Sequence, residues 1–209
     1  MQKMEKWIIG IVLGAVPVIA CFLAGWWISI PFVPESRIVW FALTGLLLGV
    51  LCDAVFLGRW IRRAYSMKIG VWMAVHIFYS IGMLGFFMGV PIFNVILSIP
   101  AGVLAGRRLA LGAPDPGRVR REARRASVFT TAVLGCVCIL SATIALASPY
   151  TAYDLQGMMG LSSPVPHLAI IAIIIFGGSF LLVLGWWLTV QSVKLSYGFF
   201  AGRDRTGRA

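Results

Sequence analysis

Charge is scarce in this 209-residue chain: only 12% of its residues are Asp, Glu, Lys or Arg, and just 7 are acidic. With 60% hydrophobic residues, that scarcity excludes a cytosolic enzyme, a secreted disulfide scaffold and a disordered tail protein. Chemical motifs are scarce too. There is no P-loop glycine pattern, no HExxH and no pair of carboxylates within one apolar run, which removes phosphate cradles, zinc peptidases and two-carboxylate acid–base chemistry. Gly177-Gly178-Ser179-Phe180-Leu181 lacks the second glycine of a GxSxG elbow, so a serine hydrolase has no nucleophile turn. His167 falls at the outer end of its apolar run and His76 in the inner half of another, too far apart in depth to hold one haem axially. Lys68 and Lys194 stand at the ends of apolar runs, so no mid-membrane lysine is available for a Schiff base. Cys21, Cys52, Cys136 and Cys138 all lie inside apolar runs. Cys136 and Cys138 point about 200° apart around a helix, so neither a zinc site nor a disulfide framework follows and the thiols read as small hydrophobes. No metal and no cofactor is expected.

What the chain does have is long apolar runs, and a mean hydropathy of +0.92. Windows of about 19 residues pick out six spans: 7–30, 38–57, 69–90, 91–105, 128–147 and 168–190. The predicted fold is all-α, a single polytopic integral membrane domain over 1–209 built as a bundle of six transmembrane helices. Its net charge of +11 is concentrated between spans. If the N-terminus is cytoplasmic, 17 of the 18 Lys and Arg residues fall on the inner side, leaving Arg37 alone outside; the positive-inside rule therefore places both termini in the cytoplasm. Trp26, Trp27 and Trp40 sit near outer ends and Trp7, Trp60, Trp72, Trp186 and Trp187 near inner ends, as aromatic belts require. Val18-Ile19-Ala20-Cys21 resembles a lipoprotein cleavage site, but Phe22 to Ile30 stays apolar, so a retained first helix is expected. Short loops and outer connectors without a glycosylation sequon favour a prokaryotic plasma membrane.

The inner connector 106–127 is a basic cytoplasmic segment. A turn at Ala113-Pro114-Asp115-Pro116-Gly117 precedes Arg118-Val119-Arg120-Arg121-Glu122-Ala123-Arg124-Arg125, which reads as a basic helix entering the fifth span. Arg118, Arg121, Arg124 and Arg125 are candidate contacts to anionic lipid headgroups. Without interleaved aromatics or a folded module, the segment is not expected to bind nucleic acid. The outer connector 148–167 has no Lys or Arg but two Tyr, two Met and one Asp; it is either a lid carrying Tyr153 or an ordinary connector.

Polar residues inside spans are costly and mark candidate sites. Asp53 lies about 7 Å and His76 about 12 Å above the inner boundary, close enough in depth to form a proton- or ion-handling pair if their spans are neighbours. Alternatively, Asp53 accepts a structural salt bridge from Arg62, Arg63 or Arg107. The fourth span is short: residues 91–105 give about 22 Å of helix against a core of about 30 Å. Its connector, Met88-Gly89-Val90-Pro91, would then be sunk below the outer surface, where non-helical backbone must face protein or water. Asn94, Tyr79 and Ser80 all fall about 15–18 Å above the inner boundary. They define a predicted outward-facing pocket for a small molecule, floored by His76 and Asp53 and roofed by the outer connector. The alternative is a thinned bilayer with Asn94 as a helix cap.

Small residues four apart, at Gly10/Gly14, Ala20/Ala24, Gly45/Gly49 and Gly85/Gly89 with Gly82, predict close helix contacts. In size, span count and cytoplasmic termini the architecture is similar to the membrane-embedded substrate-binding subunits of energy-coupling-factor vitamin transporters, and Ala20-x-x-x-Ala24 loosely resembles their first-helix coupling motif. The resemblance is one of architecture and implies vitamin-like solute binding beside partner subunits. Three readings follow: a solute-binding or transport protein, a non-catalytic helper that assembles with another membrane protein, and a lipid-modifying enzyme.

Overall fold

The computed structural model describes residues 3–87, 89–112, 115–160 and 162–206. Among these every element is helical: α1 Lys3–Ser29, α2 Glu35–Arg63, α3 Ile69–Phe86, α4 Ser98–Gly112, α5 Pro116–Ala147, α6 Thr151–Met159, α7 His167–Ala172 and α8 Gly178–Thr206. A 3-10 segment, Pro91–Leu97, leads into α4, and a π-helical turn, Ile173–Gly177, joins α7 to α8. Six helical runs are long and apolar enough to cross a membrane, as fits a multi-pass membrane protein. Of the residues read from sequence, Met88, Ala113, Pro114 and Arg208 lie outside the described residues.

Helix ends depart from the apolar runs that locate them. The fourth run covers 22 residues, Pro91–Gly112, rather than the fifteen of 91–105. Arg107 and Arg108 end the hydropathy signal, but Arg, Leu and Ala are strong helix formers, so α4 continues through them. The opening 3-10 turns also rise about 2 Å per residue, which lengthens the run further. α5 likewise starts eleven or more residues before its apolar part: Pro116 occupies the first turn, and the Asp115 side chain caps the helix by accepting from Arg118 N at 3.2 Å.

The described residues divide into two compact units, one up to Val75 and one from His76 onward. In the first unit α1 and α2 form an antiparallel hairpin closed by a turn in which Phe32 N and Val33 N donate to Ser29 O. Glycine sets the spacing of the two helices. A Cβ on Gly45 would stand 2.2 Å from Cys21 O, one on Gly25 2.4 Å from Phe41 O, and one on Gly49 2.6 Å from Val18 Cα, so backbone meets backbone along the seam. Ala42, fully buried, lies on the same face. Beyond α2, the Trp72 indole Nε1 donates to Ala64 O at 3.0 Å and fastens the start of α3 to the end of the hairpin.

In the second unit α8 packs on both α4 and α5. The α4 seam again uses glycine: a Cβ on Gly102 would lie 2.6 Å from Ser192 Cβ, and one on Gly106 2.5 Å from Val193 O. Ser196 Oγ donates to Val103 O at 2.9 Å beside it. The α5 seam holds Leu134 and Leu181 against Val95 of the 3-10 segment. By contrast, Gly82, Gly85 and Gly89 have open space where a Cβ would stand, so among the described residues the close contact predicted for that face is not made.

Candidate functional site

Of the predicted pocket residues in the second unit, Asn94 and Ser80 are joined directly, through the 3-10 segment. Its tight turns place Asn94 against α3, where Nδ2 donates to Ser80 O at 2.8 Å. Asn94 and Ser80 are 4% and 3% exposed. Asn94 Oδ1 is buried as well and has no hydrogen-bond partner, leaving one acceptor in an apolar setting. Tyr79, half-buried, stands edge-on to Phe78 with ring centroids 5.6 Å apart. The His76 ring lies 5.5 Å from Phe129 of α5, tilted by 56°. Chemically, what Asn94 offers here is one buried hydrogen-bond acceptor.

The α3-to-α4 connector finds its polar partner in protein. Gly89, at φ 83°, turns the backbone so that its carbonyl accepts from the Ser141 hydroxyl of α5; glycine alone adopts that φ without strain. Tyr153, predicted in a roof, is 62% exposed on α6, and Tyr150 is 69% exposed. Gly160, left-handed at φ 64°, ends α6.

Asp53 belongs to the first unit and is placed by α2. Its Oδ1 is buried without a hydrogen-bond partner, and it makes no ion pair with Arg62 or Arg63 of its own helix. Its Oδ2 would be 2.9 Å from a Cβ at Gly14, so the glycine lets the carboxylate lie close against α1. Around it runs a groove of about 640 Å³, walled by Gly10, Gly14 and Val18 of α1 and by Asp53, Leu57 and Ile61 of α2. The groove extends along α1 from Lys6 to Ile19, about 20 Å at the helical rise. Its wall is almost wholly apolar, and its one acidic group is a carboxylate with an unused oxygen.

The third place is the N-terminal third of α5. Arg118, Arg121, Arg124 and Arg125 are all exposed, and Arg125 Nη1 pairs with Glu122 Oε1 at 2.8 Å. Arg107 is 8% exposed with its guanidinium 4.4 Å over the Phe200 ring, a cation–π contact inside the second unit.

Two features went unread in the sequence. The Gly102/Gly106 seam has the same four-residue spacing as the pairs that were singled out. The signal that finds it is the matching row of small hydroxyl residues, Thr189, Ser192 and Ser196, along α8. The groove at Asp53 is half visible in the sequence, in Gly10/Gly14 and in Asp53 separately, but only the antiparallel hairpin brings them to one place. No family model, curated protein or solved structure matches the chain.

Proposed function

We propose that this is a non-catalytic helper that assembles with another membrane protein, seating one of that protein's transmembrane helices in the α1–α2 groove. The carrying observation is Asp53: a carboxylate with a buried, unused oxygen in the wall of an apolar groove. A carboxyl group in such a setting is stabilised by a donor from whatever covers it. The occupant is therefore an apolar helix carrying one Lys, Arg or hydroxyl-bearing residue level with Asp53. A groove about 20 Å long and lined by glycines suits a helix better than a compact solute. The distribution of Lys and Arg supports an orientation with both ends of the chain in the cytoplasm, and the short loops support a prokaryotic plasma membrane.

Photo-crosslinking in cells tests this. A benzophenone amino acid in place of Ile11, which is 67% exposed in the groove wall, is expected to yield an adduct with one other membrane protein. That adduct should disappear when Asp53 is changed to Leu, while Asp53→Asn, which still hydrogen-bonds, retains part of it. Adducts with lipid only, or a protein adduct indifferent to Asp53→Leu, would overturn the reading.

A second reading, a solute-binding or transport site at Asn94, rests on the unused Oδ1 of that side chain. It predicts a small molecule that co-purifies with the protein and is lost in Asn94→Leu.

A further inference from the structure

We infer that Arg121, Arg124 and Arg125 form a specific seat for the headgroup of one anionic phospholipid, with the acyl chains lying along the exposed face of α5. This seat is independent of any partner helix at Asp53.

Three observations carry it. The three arginines and Val128 line one open hollow of about 330 Å³, so three cationic side chains border a single space. The local charge is strongly one-sided, because Arg118 to Arg125 holds five arginines against the single acid Glu122. Glu122 is engaged by Arg125 at 2.8 Å, so the one nearby acid is already paired, and Arg121 and Arg124 are left to lead in binding an anion with Arg125 beside them. A phosphate diester matches the forked donor geometry of two arginines.

The floor of the hollow distinguishes a lipid from a free anion. Val128 is 52% exposed, and the same helical face continues through Ala132, Cys136 and Ile139, all exposed. These positions recur every three or four residues and so share one stripe. A soluble phosphate would use the arginines and leave the stripe unmatched, whereas a phospholipid satisfies both ends at once. Each cation near an anionic surface contributes a factor of about five to binding, so losing two lowers occupancy by about 25-fold.

The test is native mass spectrometry of the full chain in detergent, with added phosphatidylglycerol or with phosphatidylcholine of the same acyl chains. The expected result is one phosphatidylglycerol retained per chain, with phosphatidylcholine retained at least tenfold less. R121Q/R124Q should lose the lipid. R37Q/K194Q, which removes two positive charges outside the hollow, should keep it, and R121K/R124K should retain it weakly. Because Arg121 and Arg124 are exposed, their variants are expected to fold, and an unchanged melting curve checks this. Glycerol phosphate without acyl chains should not displace the lipid. Equal retention of phosphatidylcholine, equal loss in R37Q/K194Q, or displacement by glycerol phosphate would each overturn the inference. If R121Q/R124Q fails to fold, the lipid comparison and the displacement arm on the unmodified protein still decide it.

Discussion

The hydroxyls of Thr130 and Thr189 meet at 2.9 Å between α5 and α8, and neither residue is more than 2% exposed. Each hydroxyl has one proton, yet three bonds are within reach, because Thr130 also lies 3.2 Å from Ser127 O and Thr189 2.9 Å from Gly185 O. The arrangement that keeps the two shorter contacts is a chain: Thr130 donates to Thr189, and Thr189 donates to Gly185 O. Thr130 therefore uses its proton between helices rather than on its own backbone.

Replacing either threonine by valine is expected to lower stability by about 0.6 kcal/mol, the usual worth of an interhelical side-chain hydrogen bond in a membrane protein. Because the two share one bond, the double variant should lose clearly less than the sum of the single ones. Reversible unfolding in mixed detergent micelles measures the cycle, and strict additivity would show that the hydroxyls act separately.

Glycines that look alike in the sequence should respond oppositely to substitution. Gly45→Val puts side-chain atoms where Cys21 O already lies 2.2 Å from a Cβ position, and an overpacked seam costs about 1–3 kcal/mol or more. Gly82→Ala meets nothing within 4 Å and removes a flexible residue from α3, so it should stabilise by about 0.5–1 kcal/mol. Thermal melts of the two variants side by side check the sign of each.

At Asn94 the order of two substitutions is informative. Asn94→Leu removes both the bond to Ser80 O and the unused Oδ1, so its two effects partly cancel. Asn94→Asp keeps an acceptor and sets a second oxygen against the Ser80 carbonyl, where the donor used to be. The Asp variant should be less stable than the Leu variant by about 1–3 kcal/mol, as read by the same unfolding assay.

The proposed orientation is tested by labelling. In a background without the native cysteines, Tyr153→Cys on the exposed face of α6 should react with a membrane-impermeant maleimide in intact cells. Ser66→Cys, between α2 and α3, should react only after permeabilisation. The reverse pattern would invert the topology.

Hydropathy located all six runs because apolar length is a one-dimensional property, and it misplaced their ends because helix propensity outlasts apolarity. Arg107 shows the difference: it ends the apolar run, yet it lies inside the second unit over Phe200. Depth counting placed Asn94 and Ser80 at one level, and the structure joins them directly at 2.8 Å. Depth carries no azimuth, however, so it could not distinguish an open pocket from a direct bond. The same limit applies to Gly45 and Gly85: four-residue spacing marks a smooth face, and only the neighbouring helix decides whether that face is used.

The α1–α2 hairpin also has a consequence in time. Every residue of its seam, from Gly25 through Gly45 to Gly49, precedes His76, so the seam is synthesised before any residue of the second unit. At ordinary rates the rest of the chain takes on the order of ten seconds more to synthesise. Nothing in the seam waits for the second unit, so the hairpin can close during that interval, once its residues have left the ribosome. The groove at Asp53 is built entirely from that hairpin, so under the proposed function a partner helix would be recruited while translation is still under way.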